Sequence, residues 1–335
     1  MVVTLLLLVG SALVIYFSCE LFVNAVEWLG HRLSVTQTAT GTILAAFGTA
    51  LPESVVTLVA VAFGDNPAQK DIGVGAALGG PLALSTLAYG VVGLILLGSR
   101  NPLVKKKTAV DADCVRLSHD QGWFMAIFLC SLLAGLLDFP GKAWLGLAFL
   151  GGYALYVWKE LKTDGELHDC DGLEPLRFRP HDEQPSLFWA ALQSGVALVV
   201  VFAASRIFVA QLDVIGPALG LPPQLAALLL SPVATEMPET LNAVIWVQQG
   251  KERLALANIS GSMMIQSTVP TAFGLFFTPW RFEGALILAA SVTLLATAWL
   301  FLLFRRGKVG GAQLARSSLI YAVFAGALIF KAVPA

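Results

Sequence analysis

Long apolar runs alternate along the chain with short polar breaks, and most of the runs are long enough to cross a bilayer as helices. Cut at the breaks, the pattern predicts ten spans. They are about Val2–Trp28, Thr36–Phe63, Ile72–Leu97, Trp123–Leu137, Ala143–Trp158, Leu187–Val209, Gln224–Val247, Leu254–Phe276, Leu286–Leu303 and Ser317–Val333. The fourth and fifth are short, and only Asp138-Phe-Pro-Gly-Lys142 joins them, which predicts a tight helical hairpin. The seventh run is interrupted: Glu236 and Glu239 stand inside it with Pro238 between them. A charge at membrane depth costs about 2.5–3.5 kcal/mol on insertion scales, and a proline removes a backbone donor. This run is therefore expected to break and to serve a function.

Composition narrows the class. The chain is 57% hydrophobic and 13% charged, against about 25% charged in soluble domains. That excludes a soluble enzyme and predicts an all-α membrane protein, with the lipid bilayer as its surroundings. No nucleic-acid-binding feature is present, and no protein partner can be read from the residues. If loops alternate sides, one side receives every one of the 21 Lys and Arg except Lys70, Lys142, Arg206, Arg281 and Lys331. Basic residues favour the cytoplasm, so both termini are expected outside, in the cell membrane. The first run lacks the basic start and cleavage site of a signal peptide and reads as a retained span. Cys19 and Cys130 fall within spans, where a small buried apolar role is expected. His31, His119, His168 and His181 are placed in loops, with no ligand role expected.

The two halves repeat. At an offset of 186, Glu20 falls on Arg206, Thr49 on Thr235, Pro52 on Pro238, Glu53 on Glu239 and Gly64 on Gly250. Each half holds an odd number of spans, so the second enters the membrane in the opposite sense. The predicted organisation is a first five-helix repeat over 1–159, a linker over 160–185 and a second five-helix repeat over 186–335. The most similar segments are about 41–90 and 227–272. Inverted-topology repeats are common in secondary transporters, with sites at the repeat interface. The acidic linker reads as a solvated connection or a weak regulatory metal site. Glu20 and Arg206 are candidates for a structural ion pair or for guiding ions.

Glu53 and Glu239 each follow a proline. Breaks before Pro52 and Pro238 would free carbonyls near Thr49 and Thr235. Carboxylates, hydroxyls and freed carbonyls are hard oxygen ligands, suited to calcium or sodium. The competing reading makes the glutamates structural, paired with Arg206 or with polar neighbours, but one arginine cannot neutralise Glu53, Glu236 and Glu239. Asn258 and Ser260 read first as packing residues and second as ligands. The glycines at 73, 75, 79 and 80 read as sites of close helix approach.

Gly48-Thr-Ala-Leu-Pro-Glu53 resembles the Gly-Thr-Ser-x-Pro-Glu signature of the first α-repeat of the calcium/cation antiporter superfamily, which includes the sodium/calcium exchangers. Ala234-Thr-Glu-Met-Pro-Glu239 resembles the second, and Leu256-Ala-Asn-Ile-Ser-Gly-Ser262 the segment that follows it. The resemblance implies ten spans, alternating access, and an antiporter exchanging Ca2+ or a related cation for Na+ or H+. It implies no cofactor; the bound ions are cargo. By resemblance the metal ligands are Glu53 and Glu239, with Thr49, Thr235, Ser262 and Gln266, and Glu236 at a ligand position. Some positions depart from the pattern. Ala50 and Glu236 replace a serine in each repeat, and Gly79-Gly80 and Leu84 replace a Gly-Ser and an Asn. The first half loses side-chain oxygens and the second gains a carboxylate, which opens proton as well as sodium coupling. The alternatives are a cation-binding homologue that does not transport and an intramembrane hydrolase. The hydrolase leaves the duplicated Pro-Glu unexplained.

Overall fold

The computed structural model describes residues 1–32, 50–98, 110, 112–162, 173–182 and 184–332. All its regular elements are helical, with no strand among the described residues. In chain order they are α1 (Val2–Arg32), α2 (Leu51–Phe63), α3 (Pro67–Ala83), a π turn (Leu84–Ala88), α4 (Tyr89–Gly98), α5 (Cys114–Leu136), a short 3-10 turn (Lys142–Trp144), α6 (Leu145–Lys162), α7 (Leu187–Ala218), α8 (Pro223–Thr235), α9 (Met237–Gln248), α10 (Glu252–Phe277), α11 (Ala285–Arg305) and α12 (Gly311–Ala332). By length and hydropathy alone, four segments among the described residues suffice to cross a membrane: Val2–Leu29, Pro67–Gly98, Leu187–Ala218 and Ala285–Arg305.

Burial separates centre from edge. The most apolar windows of α1 and α7 are only 22% and 33% buried, whereas that of Pro67–Gly98 is 67% buried. α1 and α7 pack on each other and carry outward apolar faces, with Leu6, Phe17 and Val199 exposed. Such faces suit lipid. The centre is built from α2, α3, α8 and α10. α3 and α8 approach closely because α3 lacks side chains on that face. A Cβ at Gly75 would stand 2.1 Å from the Gln224 carbonyl oxygen, and one at Gly79 would stand 2.7 Å from the Pro232 ring. Here the small-residue reading of these glycines holds.

One helix outruns its hydropathic span because a polar cap starts it earlier. α5 begins at Cys114, nine positions before the predicted Trp123, because Asp113 accepts the Arg116 N–H as an N-cap. His119 consequently lies on this helix, exposed, rather than in a loop, and His31 likewise lies in the last turn of α1. Cys19 is buried as expected, but Cys130 is exposed, on the same outward face as Leu129 and Leu133. The α5–α6 connection is the expected tight turn. Gly141 takes φ +82°, and Lys142 donates to the carbonyls of Leu137 and Trp280, each at 2.9 Å. The linker is only partly solvated. Leu176 is buried beside Trp28 and Ala190, and Asn24 donates to the carbonyls of Glu174 and Pro175 while accepting the Arg177 N–H. Gln193 completes the clasp, donating to Asn24 and accepting the Phe178 N–H. The acidic residues Asp164, Glu166, Asp169 and Asp171 lie outside the described residues.

Loops meet in two groups. Arg281 pairs with Asp138, and the Phe282 N–H reaches the Gly135 carbonyl. At the other end Val110 bonds Val309, Arg253 pairs with Asp113, and Arg32 bonds the carbonyls of Gln184 and Pro185.

Candidate cation site

The seventh apolar run breaks where the sequence predicts. α8 ends at Thr235, Glu236 takes φ −93° and ψ 0°, and α9 starts at Met237. Pro238 has no N–H to return to the Ala234 carbonyl. Ala50, the equivalent position in the first half, takes φ −82° and ψ −2° ahead of α2. Both residues sit in the sparsely populated bridge region common at functional sites. Glu53 and Glu239 then fall in the first turns of α2 and α9. There the positive end of the helix dipole favours a carboxylate.

Both glutamates are fully buried. Glu53 Oε2 accepts the Thr235 hydroxyl at 2.5 Å, and Glu53 Oε1 accepts the Thr57 hydroxyl at 3.4 Å. Thr235 Oγ1 also lies 3.2 Å from Glu236 Oε1 and 3.1 Å from the Ser231 carbonyl. One hydroxyl proton cannot serve three acceptors. With both carboxyls ionised, oxygen faces oxygen across Thr235, and a further positive charge is needed between them, either a cation or a proton. Glu236 is also gripped by the Gln266 amide, whose Nε2 reaches its two oxygens at 3.0 and 2.8 Å. Gln266 Oε1 and Ser231 Oγ are buried and have no hydrogen-bond partner among the described residues. Carboxylate, hydroxyl and amide oxygens together make the donor set that hard cations prefer.

Of the residues singled out from sequence, Glu53, Thr235, Glu236 and Gln266 form one bonded cluster linking α2, the α8–α9 break and α10. Glu239 is buried three residues beyond Glu236, and Ser262 is buried one turn before Gln266. Thr49 lies outside the described residues. Arg206 does not meet Glu20. It bonds the Phe63 carbonyl at the end of α2 and pairs with Asp65 at 3.3 Å, because helix-end carbonyls and a loop acid are its nearer neighbours. Ser260 donates to Asp120 and belongs to a second buried polar group. In that group Tyr156 also donates to Asp120, and Gln121 donates to Tyr89. The sequence reading missed Asp120 because it fell in the polar lead-in to the fourth apolar run; the Asp113 cap was the available signal.

A model of the sodium/calcium exchanger protein family matches residues 3–161 and 189–333. The inner membrane protein YrbG of Escherichia coli K12 is 26% identical over 286 residues, covering 84% of this chain and 81% of its own length. CaxA of Alkalimonas amylolytica is 25% identical over 333 residues, covering 97% of each chain. The crystal structure of the H+/Ca2+ exchanger CAX superposes with a TM-score of 0.75 at 16% identity, over 99% of this chain and 82% of that one. The sodium–calcium exchanger NCX_Mj soaked with 100 mM Na+ and 10 mM Sr2+ does so with a TM-score of 0.62 at 18% identity, over 96% and 98%. The fold is therefore shared with two solved exchangers, the family match spans both halves, and the chain belongs to the sodium/calcium exchanger protein family.

Proposed function

We propose that this chain is a secondary active antiporter that exchanges Ca2+ or a related cation for Na+ or H+ across the cell membrane by alternating access. The observation that carries the reading is the buried cluster in which Thr235 of the second half bonds Glu53 of the first, with Glu236 and Gln266 alongside. Acidic groups this deep in an apolar helical protein must either take up protons or hold a positively charged occupant, the two states an exchanger alternates between. In this reading Glu53 and Glu239 are the central ligands of the divalent ion. Thr49, Thr235, Glu236, Ser262 and Gln266 supply further oxygens, and the ions are substrates rather than cofactors.

The architecture in this reading is ten spans in two inverted five-helix repeats, 1–159 and 186–335, joined by 160–185, with both termini outside. Helix packing supports it. α2 lies on α3 as α9 lies on α10, α6 lies on α10 as α12 lies on α4, and α1–α7 and α5–α11 are pairs of equivalent spans. The matching backbone at Ala50 and Glu236 supports it too. The test is Ca2+ flux in sealed vesicles holding the purified protein, under an imposed sodium gradient and then an imposed pH gradient. Exchange under either supports the reading, and no flux above protein-free vesicles under both overturns it.

A further inference from the structure

Gly80, in α3, has a place in the site that its lack of a side chain conceals. A Cβ built on it would stand 2.6 Å from Gln266 Oε1 and 3.0 Å from Glu236 Oε1. The first distance is shorter than real Cβ atoms show, and the second is tight. Both neighbours are the far ends of long side chains, so one of them would have to turn away and give up contacts that it makes now. Glu236 is held by Thr235 and by both contacts from the Gln266 amide, and all three residues are buried. The volume that a side chain at position 80 would fill is thus the volume that the Glu236 carboxylate and the Gln266 amide occupy. In the pattern this chain resembles, position 80 is a serine and position 236 is a serine. Here one has lost its hydroxyl and the other has gained a carboxylate, and the structure puts the two changes against each other.

We propose that Gly80 and Glu236 are a reciprocal pair that sets the selectivity of the site for divalent over monovalent cations. This rests on the exchanger reading above. Glycine at 80 admits the Glu236 carboxylate to the cluster that holds Glu53. The added charge acts on a divalent ion with twice the energy it exerts on a monovalent ion at the same distance. Serine at both positions exchanges that charge for two neutral hydroxyls. The site then keeps its oxygens and loses its bias toward double charge.

The test is a cycle of Gly80→Ser, Glu236→Ser and the double variant. It is read as the half-saturating Ca2+ concentration for uptake and the Na+ concentration that halves uptake. Gly80→Ser alone crowds Glu236 and Gln266, and uptake is expected to fall about tenfold or more. Glu236→Ser alone is expected to raise the half-saturating Ca2+ concentration about tenfold and to make uptake more sensitive to Na+. The double variant should recover uptake relative to Gly80→Ser while keeping the sodium sensitivity of Glu236→Ser. Thermal unfolding of the purified proteins, with and without Ca2+, reads the same order without requiring transport. If the parent itself carries no flux, the exchanger reading fails, and the pair is judged by Ca2+ and Na+ protection against unfolding. A Gly80→Ser protein that matches the parent overturns the pairing. So does a double variant no better folded or more active than Gly80→Ser, or one with the parent's ion preference.

Discussion

The Thr235 hydroxyl reaches Glu53 Oε2 at 2.5 Å, joining residues 182 positions apart. The bond connects the end of α8 to the first turn of α2, so the cluster exists only when the two halves meet. The same hydroxyl lies within 3.2 Å of Glu236, which makes Thr235 the hinge of the acidic group.

Thr235→Val keeps the shape of the side chain and removes the hydroxyl. A buried carboxylate then loses a donor, which costs about 1–3 kcal/mol. Initial Ca2+ uptake is expected to fall about tenfold or more, at 1.4 kcal/mol per decade. Thr235→Ser retains the hydroxyl and should stay near the parent. Equal uptake by the valine variant and the parent would remove Thr235 from the site.

The break at Glu236 is expected to be functional rather than merely tolerated. Pro238→Ala returns an N–H to the Ala234 carbonyl and favours a continuous helix through positions 235–239. The variant should transport more slowly, since Pro238, at home in the first turn of α9, sets a cost of about 3 kcal/mol on running the helix straight through, and alanine lifts it. A variant as active as the parent would mean that the break does not depend on the proline.

Arg206 is predicted to matter little. Its side chain is 43% exposed, and that of its partner Asp65 is 75% exposed. Exposed pairs of this kind contribute about 0–1 kcal/mol. Arg206→Gln should leave both the ion preference and the rate of uptake near those of the parent. A change in ion preference would restore a guiding role for this residue.

Orientation is open to direct labelling. A cysteine at Pro140, beside the Lys142–Trp280 contact, should react with an impermeant thiol reagent from outside. One at Gly250, next to Arg253 and its Asp113 partner, should react only after permeabilisation. Labelling should be done in a background lacking the exposed Cys130. The reverse pattern would overturn the assignment of the basic side to the cytoplasm.

Much of the fold was legible because apolar runs of bilayer length can bury or shield their backbone only as helices. The helix ends were less so. α5 runs back to its Asp113 cap through polar residues that hydropathy discards, and with them went Asp120 and its partners. The duplicated Pro-Glu marked Glu53 and Glu239, and the break at Glu236 followed from Pro238. The repeat misled for Glu20 and Arg206, since equivalence in a repeat says nothing about contact. From its spacing Gly80 reads as a packing residue. Its place against Glu236 depends on how closely α3 approaches α10 and the α8–α9 break, which linear spacing does not encode.

The central claim is that buried carboxylates from both halves carry the cation. The direct measurement is uptake of radioactive Ca2+ into sealed vesicles by the parent, Glu53→Gln and Glu239→Gln, with the folding of each checked by thermal unfolding. The parent should exchange Ca2+ against a sodium or proton gradient, and both glutamine variants, though folded, should fall to the level of protein-free vesicles. A folded Glu53→Gln protein that takes up Ca2+ at the parental rate would contradict the account.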